Sequence, residues 1–194
     1  MPKPANSKPR APLPARDGQV LIWDPLVRIF HWGLVVCFAT AWLTSDSAGA
    51  VHHAAGYAAF GVVVLRLFWG FLGTPYARFA QFVRHPATVW RYLHAIRRGK
   101  EARYVGHNPA GGAMVVVLLA MMAGTAASGY MLTTNAYWGV AWVADLHSLL
   151  ADGLLILIAL HLAGVLLASF RHRENLIRAM ISGYKRQAEA DDVI

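Results

Sequence analysis

The 194-residue sequence holds one cysteine, Cys37, and little charge, with Asp, Glu, Lys and Arg making up 14% of it. A single thiol excludes a disulfide framework and a CxxC redox pair. Lying inside an apolar run, Cys37 reads as a small apolar filler. The scarcity of charge argues against a soluble domain, because 57% of residues are hydrophobic and mean hydropathy is +0.41. Basic residues are missing from 45–50 and 133–146, whose only charges are Asp46 and Asp145. No repeat or low-complexity tract appears beyond residues 1–18, which hold five prolines. That segment cannot bury a core and is expected to be disordered.

What is present is apolar length. Four runs, 25–44, 51–72, 111–132 and 147–169, approach the length and apolarity of a membrane span. They predict an all-α protein, an integral membrane four-helix bundle forming one domain over 19–187, followed by a short tail, 188–194. The net charge of +8 is distributed unevenly. Lys3, Lys8, Arg10, Arg16 and Arg28 precede or open the first span, seven basic residues lie between spans two and three, and five follow span four. Arg66 alone lies well inside a span. This asymmetry places both termini and the middle loop in the cytoplasm and both short turns outside, as in a multi-pass protein of an inner cell membrane. A basic face interleaved with stacking aromatics is lacking, so no nucleic acid partner is expected. The ending Ala48-Gly49-Ala50 imitates a signal-peptide cleavage site, but the preceding run is long and contains Trp32, Trp42 and His31, so it is kept as a span.

The middle loop, 73–110, is too long to be bare. Its segment PATVWRYLHAIRRG starts at Pro86 and stops at Gly99, with Val89, Leu93 and Ile96 at helical spacing. An amphipathic helix on the cytoplasmic membrane surface is predicted, with Trp90 and Tyr92 at headgroup level. The stretch RENLIRAMISGYKR predicts a second, shorter one.

Titratable side chains inside hydrocarbon are expensive, so the histidines of the spans are functional candidates. His147 and His161 are fourteen residues apart, about 40° short of four helical turns, so both leave one face about 21 Å apart. His147 opens span four from outside and His161 lies near its cytoplasmic end. His31 is near the cytoplasmic start of span one, and His52 opens span two from outside. Depth therefore pairs His31 with His161 and His52 with His147. Two imidazoles facing each other across a bundle suit the axial positions of a haem iron, so one haem per pair gives two across the membrane. Zinc prefers four ligands at one depth, which two separated pairs do not provide. A bare histidine hydrogen bond does not explain why the arrangement recurs at both surfaces.

Neighbouring residues agree. His52, Gly56, Ala59, Val63 and Arg66 share one face of span two, and small residues beside a ligand leave room for a flat macrocycle. Close helix packing explains Gly56 and Ala59 equally well. Arg66, buried toward the cytoplasmic side, needs a partner, which a haem propionate would be; Arg28 is a second clamp candidate. Asp152 is another intramembrane charge, protonated or paired. His85 and His94 read as solvated, and His172 as a neighbour of lipid phosphates. His107 either lines a quinone site or caps a helix with Asn108.

The runs DPLVRIFHW, VHHAAGY…RLFWGFLG, ARFAQF, GHNPAGG and DLHSLLA…ALHLAGV…RHREN resemble the bacterial cytochrome b561 family, which overlaps the hydrogenase-type cytochrome b subunits. The resemblance covers about residues 20–186. It implies a di-haem b membrane protein, with His31, His52, His147 and His161 as iron ligands. Quinone is the implied substrate and a periplasmic cytochrome c or dehydrogenase the partner, in a respiratory chain; a homodimer is left open. The chain departs from the family where a larger aromatic and a neutral side chain are expected and Ala54 and Asp152 stand. Two competing readings are a superoxide:quinone oxidoreductase acting alone and a non-redox membrane anchor.

Overall fold

The computed structural model describes residues 18–47 and 49–193. Four long helices dominate: α1 (Pro25–Leu43), α2 (Ala50–Leu72), α5 (Pro109–Leu132) and α6 (Ala141–Arg171). All four are long and apolar enough to cross a membrane, where a helix satisfies every backbone group within its own segment. Shorter elements are β1 (Gln19–Leu21), α3 (Phe79–Phe82), α4 (Pro86–Arg97), α7 (Leu176–Ser182) and β2 (Tyr184–Arg186). Successive long helices pack as α1 on α2, α2 on α5 and α5 on α6, while α1 and α6 have little direct packing.

Local chemistry places the helix starts. Asp24 caps α1 by accepting from Val27 N at 2.9 Å, and Pro25 follows at the first helical position, where its missing N–H costs nothing. The other Asp24 oxygen accepts from Thr74 Oγ1 at 2.5 Å and from Trp69 Nε1 at 3.2 Å. One buried carboxylate thus joins the start of α1 to the end of α2. Asn108 caps α5 in the same manner, accepting from Gly111 N at 2.7 Å.

Two apolar clusters hold the molecule. Ala59, Val63, Met122 and Leu154 form the middle of the bundle, with Leu34, Cys37 and Phe38 packed against them. Val20, Ile22, Trp23, Val27, Ala77, Val105 and Ala179 form a second cluster at one end. That end is a built cap. β1 pairs antiparallel with β2, Val20 opposite Lys185, and the Gly183 carbonyl accepts from Ile22 N and Trp23 N. Beneath the strands Arg103 bridges Glu174 (2.9 Å) and Asp192, while Lys185 Nζ lies 3.3 Å from Glu174 and donates to the carbonyls of Tyr104 and Val105.

Several expectations are revised. α6 begins at Ala141, so His147 stands about two turns inside the helix rather than opening it. The tail helix spans only Leu176–Ser182, because Gly183 turns into the left-handed region (φ 89°) and β2 follows. Within the tail, Asp192 and Val193 are tied down, the Val193 carbonyl accepting from Val105 N. Tyr92 is buried and donates to the Ala102 carbonyl, so on α4 only Trp90 and Leu93 project outward as apolar anchors. His85 stays exposed while it caps α4, and only His94 is half-buried, packed on Trp90. His172 lies in the field of Glu101, Arg103, Lys185 and Glu174. The proline-rich start expected to be disordered lies outside the described residues except Gly18, whose carbonyl accepts from Gln187 N.

Candidate functional site

At the end of the bundle opposite the cap, His52 of α2 and His147 of α6 face each other, ring centroids 6.2 Å apart and planes at 77°. Both Nδ1 atoms are committed to main-chain carbonyls: His52 to Ala41 at 2.8 Å and His147 to Thr125 at 3.0 Å. A carbonyl can only accept, so each Nδ1 carries the proton and each Nε2 keeps its lone pair. Metal-bound imidazoles are held in this way by the atoms behind them, which set tautomer and ring orientation. Two imidazoles bonded to one metal through about 2.0–2.1 Å bonds stand with ring centres about 6 Å apart, and the observed pair matches. The residues present therefore fit an iron held between them.

Glycines shape the space around this pair. A Cβ on Gly129 would come 2.9 Å from Cε1 of His147, so only glycine lets α5 approach the ring so closely. A Cβ on Gly56, one turn beyond His52, would meet nothing within 4 Å. The space beside Gly56 is therefore open.

Toward the cap, His31 of α1 and His161 of α6 are both half-buried and lie within electrostatic reach of each other. The His31 ring sets its edge against Trp32, 5.2 Å between centroids, and its Nδ1 is sealed from solvent without a hydrogen-bond partner. Three further nitrogens at this end share that condition: Arg28 Nε, Arg66 Nη1 and His107 Nδ1. Their neighbours on the same side chains are satisfied, Arg28 Nη1 donating to the Ile181 carbonyl at 2.7 Å and Arg66 Nη2 to Ala77 at 3.1 Å. The Arg66 guanidinium also lies over the Phe79 ring, 5.2 Å from its centroid. A sealed, unpaired polar nitrogen costs about 1–3 kcal/mol, so several at one end fit an acceptor-bearing group such as a pair of propionates.

His107 belongs to this layer. Its ring sits between Trp23 and Phe82, at 4.6 and 4.7 Å, while Asn108 alone caps α5. Burial first, then the charges of Arg66 and Lys185 and nearby His161, push His107 down to about 3. It is neutral at ordinary pH.

Between the two histidine levels the middle cluster closes the bundle. Leu154, 1% exposed, stands seven residues from His147 and seven from His161 on the same face. Among the described residues no three His, Cys, Asp or Glu side chains gather at one point. Each pair therefore offers two protein ligands, which suits an iron whose remaining positions a macrocycle fills.

Sequence patterns alone did not reveal Thr125, the Ala41 carbonyl and Ser128, 3.2 Å from His147 Nδ1, as the backing of the far pair. Asp24 was findable, since an acidic residue before Pro25 is a helix-start signal. A family model described as prokaryotic cytochrome b561 matches residues 22–183. No curated protein sequence and no solved structure matches the chain.

Proposed function

The chain belongs to the prokaryotic cytochrome b561 family, whose members are membrane proteins that bind haem b and transfer electrons, and from that premise we propose that it holds two haems, at His52–His147 and at His31–His161, and links a quinone pool to a periplasmic redox partner. The observation that carries the reading is the far pair, whose two Nδ1–H groups are both anchored on carbonyls so that both Nε2 lone pairs are left to a metal. When bound, haem supplies reversible one-electron chemistry at iron, with a potential set by axial ligands and surroundings.

The chain's own residues do the rest. Ala41 and Thr125 hold the far imidazoles in one tautomer, and Gly129 and Gly56 give ring and macrocycle their room. Ala59, Val63, Met122 and Leu154 keep the space between the levels dry and apolar. Arg28 and Arg66 place guanidinium nitrogens at the capped end, where a propionate carboxylate would be held by charge-assisted hydrogen bonds. Among the described residues Arg28, Arg103, Lys185 and Arg186 lie at the capped end, and the connections at the other end carry only Asp46 and Asp145 as charges, which supports a cytoplasmic cap and a periplasmic far pair.

Two measurements test this. A pyridine haemochrome assay is expected to give two haem b per chain, all extractable by acid acetone because no CxxCH motif provides covalent attachment; a count of one or none refutes the pairing. A reporter fused after Ile194 is expected to be active only in a cytoplasm-specific form, and one inserted near Asn135 only in a periplasm-specific form. The reverse pattern overturns the assignment of sides.

A further inference from the structure

Asp152 stands on the side of α6 turned away from the site. It follows His147 by five residues and precedes His161 by nine, so it projects about 140° from the first ring and about 180° from the second. Its side chain is exposed, and no described residue hydrogen-bonds or ion-pairs with it. Along the axis it lies about 7.5 Å deeper than His147, at hydrocarbon depth. Leu149 and Ile156, both strongly exposed, flank it, and the exposed small residues Ser148, Ala159 and Ala163 share its side of the helix.

A carboxylate facing lipid at this depth is expensive, and charges inside membranes pair with one another. Among the described residues no Lys or Arg is placed to offer a counter-charge, even from a second copy. Arg66 is buried, bonded to Ala77 and toward the capped end, and Arg28 is tied to Ile181 at that same end. Exposed His53 lies on α2 about 6 Å closer to the far surface, if the paired His52 and His147 are level. A second copy set against this face of α6 would bring another Asp152.

We propose that this face of α6 docks a transmembrane helix of a different polypeptide, one that carries a Lys or Arg level with Asp152. The small side chains let the two helices approach closely, and the ion pair fixes their register. The inference stands on this face alone and does not depend on the haem count.

The test uses the purified protein in liposomes with a labelled leucine–alanine transmembrane peptide bearing one lysine at the depth of Asp152, and the same peptide with leucine there. Energy transfer is expected to report about tenfold tighter association of the lysine peptide. Asp152→Asn is expected to abolish that preference while leaving haem content and the reduced-minus-oxidised spectrum unchanged. Equal association of the two peptides, or a preference that survives Asp152→Asn, overturns the proposal. So does self-association of the chain that Asp152→Asn removes, or loss of haem in that variant, which would assign Asp152 to the site instead.

Discussion

His161→Ala is expected to leave one low-spin b haem per chain where the unaltered protein is proposed to carry two, and His31→Ala is expected to leave the same one. Alanine is a good helix former and α6 stays apolar, so the helix itself should persist. The capped-end pair loses one of its two imidazoles, and His107, the other histidine of that layer, is enclosed between Trp23 and Phe82. The far pair is shielded from the change. It lies about 21 Å along α6, beyond Ala59, Val63, Met122 and Leu154, with its imidazoles held by the carbonyls of Ala41 and Thr125. Redox titration followed optically should therefore show one haem with its potential little changed. His52→Ala and His147→Ala should share the complementary spectrum. Grouping of His31 with His147 would refute the pairing.

Glu174→Ala is expected to lower stability by about 3–5 kcal/mol, the usual effect of removing one partner from a buried ion pair. The glutamate accepts from Arg103 and from Arg186 N–H and sits beside Lys185, so its loss leaves two buried cations without that counter-charge. Burial by itself would raise the Glu174 pKa. The hydrogen bond from Arg103, the Lys185 charge and the Arg186 N–H outweigh it and hold the group below its ordinary value of 4.5. The folded form then binds fewer protons than the unfolded form between those two values. The stabilisation is complete above about pH 4.5 and lost as pH falls through the depressed value. His107, held neutral, produces a separate loss that begins as pH falls below its ordinary 6.5. Thermal unfolding against pH in detergent, compared between the unaltered protein and Glu174→Gln, isolates the glutamate contribution. An identical acid slope in both proteins would show that Glu174 does not link stability to pH.

Much of the architecture was legible because lipid imposes a local rule. A run of about twenty apolar residues can satisfy its backbone there only as a helix, so four runs implied four helices whatever their neighbours. Most histidine depths could be counted from span ends, His147 excepted, and helical periodicity put His147 and His161 on one face without reference to any other segment. The helix starts at Asp24–Pro25 and Asn108–Pro109 carry their own capping chemistry.

The sequence by itself determined the membrane class, the number of spans and the shared face of His147 and His161. Only the tertiary structure decided what each side chain meets. β1 and β2 are separated by most of the chain, and Arg103 meets Glu174 seventy-one residues away. Strands of three residues carry too little pattern to reveal such partners. The inward turn of Tyr92 and the early start of α6 depend likewise on packing that local periodicity does not encode. So does the tautomer of each far histidine, set by carbonyls eleven and twenty-two residues distant. A hydrogen bond is decided by where an acceptor lies within about 3 Å, and across a bundle only the packed helices supply that position.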